Sequence, residues 1–157
     1  MRERPVMTGR STDKEEPFAQ VVARRWEQAL RHIEAAVSAA PNPEAKVRAF
    51  AQSRQQQAEQ LVRELPCPDE AKLDMLSSLT SHLACLRARE VALLEAIFME
   101  GNATGAFTLG NPHGVALAMV GALQNLVYAP LLFARMSRVE RSRAPTAQWP
   151  PESEKPH

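Results

Sequence analysis

Cysteine, glycine and aromatic residues are all scarce in this chain, which has 2 Cys and 6 Gly in 157 residues and only 5% aromatic residues. Two cysteines cannot form the disulfide framework of a small secreted domain. The shortage of aromatic residues and other strand formers argues against an all-β sandwich. Charge of one sign is not in excess either, because 19 Lys+Arg oppose 18 Asp+Glu. The chain as a whole therefore has no field that would attract nucleic acid or an anionic membrane.

The abundant residues are Ala, Leu, Arg, Glu and Gln, which all favour helices, and the length suits one domain. We predict an all-α fold, an antiparallel helical bundle over residues 13–138. Residues 1–12 are predicted to be disordered. So is the tail 139–157, which contains several prolines and few residues that could be buried.

Apolar residues recur at steps of three and four in several segments, as on one face of an amphipathic helix. The predicted helices cover residues 13–40, 42–65, 69–103 and 112–138. Asn42-Pro43 and Asn111-Pro112 each predict a helix start, with Asn as the cap and Pro in the first turn. The stretch 69–103 has no Pro or Gly before residue 101. It predicts either one helix or two helices that break near Ser81.

Two charged residues, Arg54 and Glu90, stand where the apolar stripes predict core residues. A lone buried charge costs several kcal/mol. One expectation is therefore that the two residues form an ion pair with each other or that their charged ends reach solvent. The other is that both line a cavity and bind a polar group of a ligand. A cavity of roughly a few hundred Å³ there would favour ligand binding, and a packed interior would not. From stripe geometry, the candidate ligand-binding residues are Trp26, Arg54, Gln57, His82, Leu86, Glu90 and Asn125.

Residues 115–134 are almost all apolar, which indicates a helix buried in a core, an interface or a membrane. Gln124 and Asn125 at the centre, and the ordinary amphipathic helices before it, argue against a membrane span. We predict that this helix forms the interface of a homodimer, in which a charge at Val120 or Leu123 would break the dimer. The candidate interface residues are Val115, Met119, Val120, Leu123, Leu126, Val127 and Leu131.

No arrangement of residues indicates catalysis. His82 and Cys85 lie three residues apart on one predicted helix, but a zinc site needs at least three protein ligands. No serine, cysteine or aspartate is spaced as a nucleophile would be from a base. We expect neither an enzyme, nor a metal site, nor a cofactor. No apolar stretch follows the first ten residues, so we expect no secretory signal and a cytoplasmic protein without membrane attachment.

Between residues 89 and 124 the chain carries the segments REVALLEAIFMEG, NATGAF, NP and AMVGALQ, in that order. This order resembles the C-terminal domain of tetracycline-repressor-type (TetR-family) regulators. In that family a long helix ends in E-G-x-x-x-G-x-F and a D/N-P pair begins the next helix. The segment DKEEPF at residues 13–18 is similar to the S-K-E-x-L-F junction between the family's DNA-binding and ligand-binding domains. The resemblance covers about residues 13–135.

The resemblance implies an effector-binding and dimerisation domain of a transcriptional regulator, with a small-molecule pocket between its middle helices and a dimer interface on its last helices. The expected effector is small and largely apolar. The sequence departs from the family at Pro17, where relatives have Leu. It also shows no helix-turn-helix pattern before residue 13, so we expect no direct DNA binding from this sequence. The alternative is a helical protein–protein interaction module without a ligand.

Overall fold

The computed structural model describes residues 12–143 of the chain, with side chains from Phe18 onward. These residues contain no β-strand, which confirms the prediction of an all-α helical bundle. Five helices follow one another along the chain. They are α1 (Thr12–Ala39), α2 (Pro43–Glu64), α3 (Asp69–Ser78), α4 (Thr80–Thr104) and α5 (Pro112–Arg143).

Two asparagine caps fix the starts of α2 and α5, as the sequence predicts. The Asn42 side chain accepts a hydrogen bond from the Ala45 backbone N–H at 2.8 Å. In the same way, the Asn111 side chain accepts from the Gly114 backbone N–H at 2.9 Å. Each bond satisfies a backbone donor that has no partner inside the first turn of a helix.

The stretch 69–103 forms two helices, α3 and α4, with the break at Leu79, close to the predicted position at Ser81. Leu79 is buried and packs with Leu65 and Leu76. Its backbone N–H donates to the Leu76 carbonyl at 3.2 Å. Since neither proline nor glycine stands at the break, tertiary packing sets its position rather than local backbone chemistry.

The end of α5 corrects one predicted boundary. Residues 139–143, which we predicted to be part of a disordered tail, are helical and extend α5 to Arg143. The physical reason is that no helix breaker occurs between Pro130 and Pro145, so the helix continues for five residues beyond Arg138. Thr12, also predicted to be disordered, is the first residue of α1. The remaining predicted disordered residues, 1–11 and 144–157, lie outside the described part of the chain.

The interior consists of apolar clusters at the two ends of the bundle with a mixed layer between them. One end cluster contains Ile33, Phe50, Leu94 and Val120, which are all fully buried. The cluster at the other end includes Val22, Leu65, Leu76 and Leu131. The layer between them contains Trp26, Ala29, Ala58 and Val127, and the polar residues of the site lie at this level. The fold thus holds a polar group of side chains midway between two apolar layers.

The end of α4 depends on two glycines with different roles. Gly105 follows the helix with φ of 78°, a left-handed conformation that glycine adopts without strain. Gly101 lies inside the helix, and a Cβ atom there would stand 1.9 Å from Cδ2 of the Phe107 ring. The Phe107 backbone N–H also donates to the Gly101 carbonyl at 3.0 Å. Phe107 therefore folds back onto α4 only because residue 101 has no side chain.

We expect Gly101→Ala to lower the free energy of unfolding by about 1–3 kcal/mol, because the added methyl displaces the Phe107 ring. In a Phe107→Ala background the same change should be neutral or stabilising, since alanine favours the helix by up to ~1 kcal/mol once the clash is gone. Urea denaturation of the four proteins in this cycle measures the coupling. An equal loss in both backgrounds would contradict the packing role of Gly101.

Candidate functional site

Four polar or aromatic side chains from four helices meet in the middle layer. The Glu90 carboxylate of α4 accepts hydrogen bonds at both oxygens. Trp26 Nε1 of α1 donates to Oε1 at 2.6 Å, and Arg54 Nε of α2 donates to Oε2 at 2.6 Å. Arg54 Nη2 also donates to Gln124 Oε1 of α5 at 2.7 Å. We call Trp26, Arg54, Glu90 and Gln124 the polar cluster.

The ion pair at the centre of the polar cluster is removed from water. The side chains of Arg54 and Glu90 are 1% and 2% exposed. Their charges balance, and a pair that keeps its hydrogen bonds avoids the full desolvation penalty of either charge alone. The Arg54 guanidinium also lies over the Trp26 ring, with Cζ 5.5 Å from the ring centroid. Of the alternatives that the sequence left open for Arg54 and Glu90, the structure thus shows the ion pair between them.

One nitrogen of Arg54 has no partner. Nη1 is buried and forms no hydrogen bond with the described protein atoms, whereas Nε and Nη2 both do. A buried donor without an acceptor costs about 1–3 kcal/mol. Such a group in a folded protein calls for an explanation, of which a bound ligand or water is one. In the polar cluster, both oxygens of the Glu90 carboxylate thus accept hydrogen bonds, whereas one nitrogen of the Arg54 guanidinium has no acceptor.

A cavity of about 70 Å³ lies against the polar cluster, and every helix from α1 to α5 contributes to its wall. This volume is smaller than the few hundred Å³ that a drug-sized ligand would need, and it falls short of the volume that we expected of a ligand site from the sequence. It is about half of a 150 Å³ apolar cavity that holds benzene. The wall is mostly apolar, with a few polar groups. The lining residues are Trp26, Arg54, Ala58, Val62, Leu76, Thr80, Leu83, Arg87, Glu90, Gln124, Val127 and Tyr128.

The structure brings together three of the seven residues that the sequence suggested for ligand binding, namely Trp26, Arg54 and Glu90. The cavity wall also contains polar residues that were not predicted from the sequence, and one of them, Gln124, belongs to the polar cluster. Gln124 follows the buried Val120 by four residues and precedes the buried Val127 by three, so the buried stripe of α5 itself could have revealed it. The other additions are Thr80, Arg87 and Tyr128.

The other four candidates do not line this cavity. Gln57 lies in a separate polar groove between α1 and α2 with His32 and Glu64. His82 and Leu86 line a shallow hollow between α1 and α4. Asn125 is exposed, because neighbouring residues on a helix point about 100° apart and Gln124 takes the inward direction. We therefore withdraw these four residues as ligands of the cavity.

The seven candidate interface residues of α5 differ in burial. Val120, Val127 and Leu131 are 0%, 7% and 6% exposed because they pack in the core of their own chain. They cannot supply the surface of a dimer, which corrects their assignment. Met119 and Leu123 are half-buried, whereas Val115 and Leu126 are exposed. The outer face of α5 stays open in a single chain, and the prediction that this helix lies in a homodimer interface stays a prediction.

The outer face of α5 carries an apolar row spaced by three and four residues, which we call the α5 stripe. Its members are Val115, Ala118, Ala122, Leu126, Ala129, Phe133 and Met136, and all are exposed. Within residues 12–143, α5 is also the one helix whose length and hydropathy would allow it to cross a membrane, and 22% of its apolar window is buried. Its inner face holds Gln124, which is bonded to Arg54.

Among the residues that the structure describes, no three His, Cys, Asp or Glu side chains are grouped as metal ligands. Cys67 and Cys85 are both free thiols. A scan against protein-family models, a search of curated proteins and a search of solved structures each gave no significant match. The resemblance to TetR-family regulators therefore stays a prediction from the motifs of this sequence.

Proposed function

We propose that this chain is a small-molecule-binding helical domain that pairs with a second copy of itself, as the effector-binding domain of a regulator does. The observation that carries the proposal is the cavity beside the polar cluster. Apolar walls with a few fixed polar groups are the usual composition of a small-molecule site. A volume of about 70 Å³ suits a ligand of only a few heavy atoms or one end of a longer molecule.

The position of the cavity suits a regulatory role. Its wall includes Trp26 of α1, Arg54 of α2 and Gln124 of α5, which the polar cluster links through Glu90 and Arg54. A ligand that prefers one arrangement of these helices shifts the equilibrium toward that arrangement. In the proposed domain, occupancy of the cavity is transmitted to α1 and α5 through these shared hydrogen bonds.

The proposed partner on the α5 stripe is a second copy of the chain, because the stripe complements itself. Antiparallel pairing about a two-fold axis near Gln124 places Leu126 of one copy opposite Ala122 of the other. The same register places Phe133 opposite Val115. Large side chains thus meet smaller ones along about 30 Å of helix. An isologous contact of this kind closes a dimer.

Ligand binding can be followed by the fluorescence of Trp26 in a Trp149→Phe background. The probe is pentanamide, an uncharged molecule with a polar amide end and an apolar tail, of which one end fits the cavity. We expect saturable binding in the protein with its original cavity. Ala58→Met fills the cavity wall and should weaken binding at least tenfold, because the added side chain occupies the ligand's space. Ala51→Met, on the same helix but away from the cavity, is the matched control and should bind normally.

Equal binding by the Ala58→Met and Ala51→Met variants would place the probe elsewhere and contradict the proposal. Failure of pentanamide, pentanoate and pentylamine alike to bind would favour the alternative function, a helical interaction module without a ligand. The exposed α5 stripe is the observation that supports this alternative. Circular dichroism of each variant confirms that it keeps its helical fold.

A further inference from the structure

The cavity wall has an excess of positive charge. Two guanidinium groups, Arg54 and Arg87, line it together with a single carboxylate, Glu90. Both oxygens of Glu90 already accept hydrogen bonds from Trp26 and Arg54. Glu90 therefore has little capacity left to neutralise a second cation, and the wall keeps one unbalanced positive charge.

Arg87 supplies that charge at the open side of the cavity. Its side chain is exposed and lines both the cavity and the adjoining groove between α4 and α5. It forms no ion pair with any side chain that the structure describes. Its Nη2 lies 4.0 Å from the position that a Cβ atom would take at Gly121 of α5. The Arg87 guanidinium thus reaches α5, at an ordinary van der Waals distance from a side chain at position 121.

Arg54 lies at the buried side. Its Nε is bound to Glu90 and its Nη2 to Gln124, so Nη1 is the one nitrogen of the guanidinium without an acceptor, and it is buried. The Tyr128 hydroxyl is a further donor in the wall. The rest of the wall is formed by aliphatic side chains such as Val62, Leu76 and Leu83, which suit an alkyl or small aromatic group.

We infer that the ligand of this cavity is a small monocarboxylate. Its carboxylate binds Arg87, Arg54 adds positive charge at the buried side, and its apolar part lies against the aliphatic wall. This inference rests on the proposed small-molecule function. One negative charge matches the one unbalanced positive charge, and guanidinium groups bind carboxylates through short, charge-assisted hydrogen bonds. The aliphatic wall disfavours a strongly hydrated polyanion such as inorganic phosphate.

Three probes of equal length separate charge from shape: pentanoate, its uncharged isostere pentanamide, and pentylamine. In the Trp149→Phe protein at low ionic strength, we expect pentanoate to bind at least tenfold more tightly than pentanamide. Pentylamine should bind most weakly, because its ammonium meets two guanidinium groups. Inorganic phosphate should not displace pentanoate.

The variant Arg87→Gln tests the contact without disturbing the buried pair. It should weaken pentanoate binding about tenfold and leave pentanamide binding unchanged. The matched control is Arg89→Gln, which removes the same charge from an exposed position on α4 that does not line the cavity. Arg89→Gln should bind pentanoate normally.

Equal affinity for pentanoate and pentanamide would overturn the inference and leave the proposed small-molecule function intact. Equal weakening by Arg87→Gln and Arg89→Gln would also overturn it, since net charge would then explain the effect. Binding of none of the three probes would remove the proposed function and this inference together. Preference for pentylamine would overturn the assigned sign of the ligand's charge.

Discussion

Replacing Glu90 with leucine is expected to lower the free energy of unfolding by about 3–5 kcal/mol. The substitution leaves the Arg54 guanidinium buried with no counter-charge, and it removes the acceptor for Trp26 Nε1. The loss is measured by guanidinium chloride denaturation followed by circular dichroism. Glu100→Leu, on the same helix, is the matched control. Glu100 pairs with Lys46 at 2.8 Å at the surface, where an ion pair contributes at most about 1 kcal/mol.

The double variant Arg54→Met with Glu90→Leu distinguishes an ion pair from general packing. It should recover at least about 2 kcal/mol of the loss, because no unpaired charge remains in the interior. Recovery should be incomplete, since Gln124 loses its donor and Trp26 its acceptor. A loss in the double variant equal to the sum of the two single losses would contradict the paired arrangement.

The second large effect is expected at the α5 stripe. Leu126→Asp should raise the dissociation constant of the homodimer at least ~30-fold, corresponding to a loss of about 2 kcal/mol or more at a central contact. The reason is that Leu126 is 59% exposed in one chain and becomes covered by Ala122 of the second copy in the proposed dimer. Sedimentation equilibrium over a range of concentrations measures the change.

Two further substitutions make this dimer test specific. Val21→Asp changes an apolar residue of α1 that is 53% exposed and lies outside the stripe, so the dimer should persist. Val120→Asp places a charge in the core of a single chain and should unfold the protein rather than only separate two copies. A monomeric parent protein, or a Leu126→Asp variant that stays dimeric, would remove the α5 stripe from the proposed interface.

Most of the fold could be predicted from local signals in the sequence. The Asn42 and Asn111 caps, the prolines that follow α2 and the 3.6-residue periodicity are short-range features, so they specify helix starts and ends without tertiary knowledge. The break at Leu79 could be placed only approximately. No residue in the stretch is a helix breaker, and the packing of Leu79 against Leu65 and Leu76 decides where α3 ends.

The candidate site was predictable only in part, for a related reason. Arg54 and Glu90 stood out because they interrupt apolar stripes, and such an interruption is visible in one helix at a time. Arg87 gains its role from the way α4 and α5 face each other, which a single stripe does not contain. Gln124, in contrast, lies on the buried stripe of α5 and could have been selected from it.

The pattern of a single helix also led to the wrong assignment of Val120, Val127 and Leu131 to the dimer interface. When every face of a helix is apolar, its sequence does not show which face packs against the rest of the chain. Val120 and Leu126 are both apolar residues of α5, yet Val120 is buried and Leu126 is exposed.

The polar cluster has a consequence for how the bundle comes apart. One carboxylate, Glu90, is bonded to α1 and α2, and Arg54 extends the connection to α5. Detaching any one of these helices breaks at least one of these hydrogen bonds. Local opening of α1, α2, α4 or α5 therefore costs hydrogen bonds of the polar cluster as well as packing, which couples the four helices. The ten-residue α3 contributes no side chain to the cluster, so its opening breaks none of these hydrogen bonds.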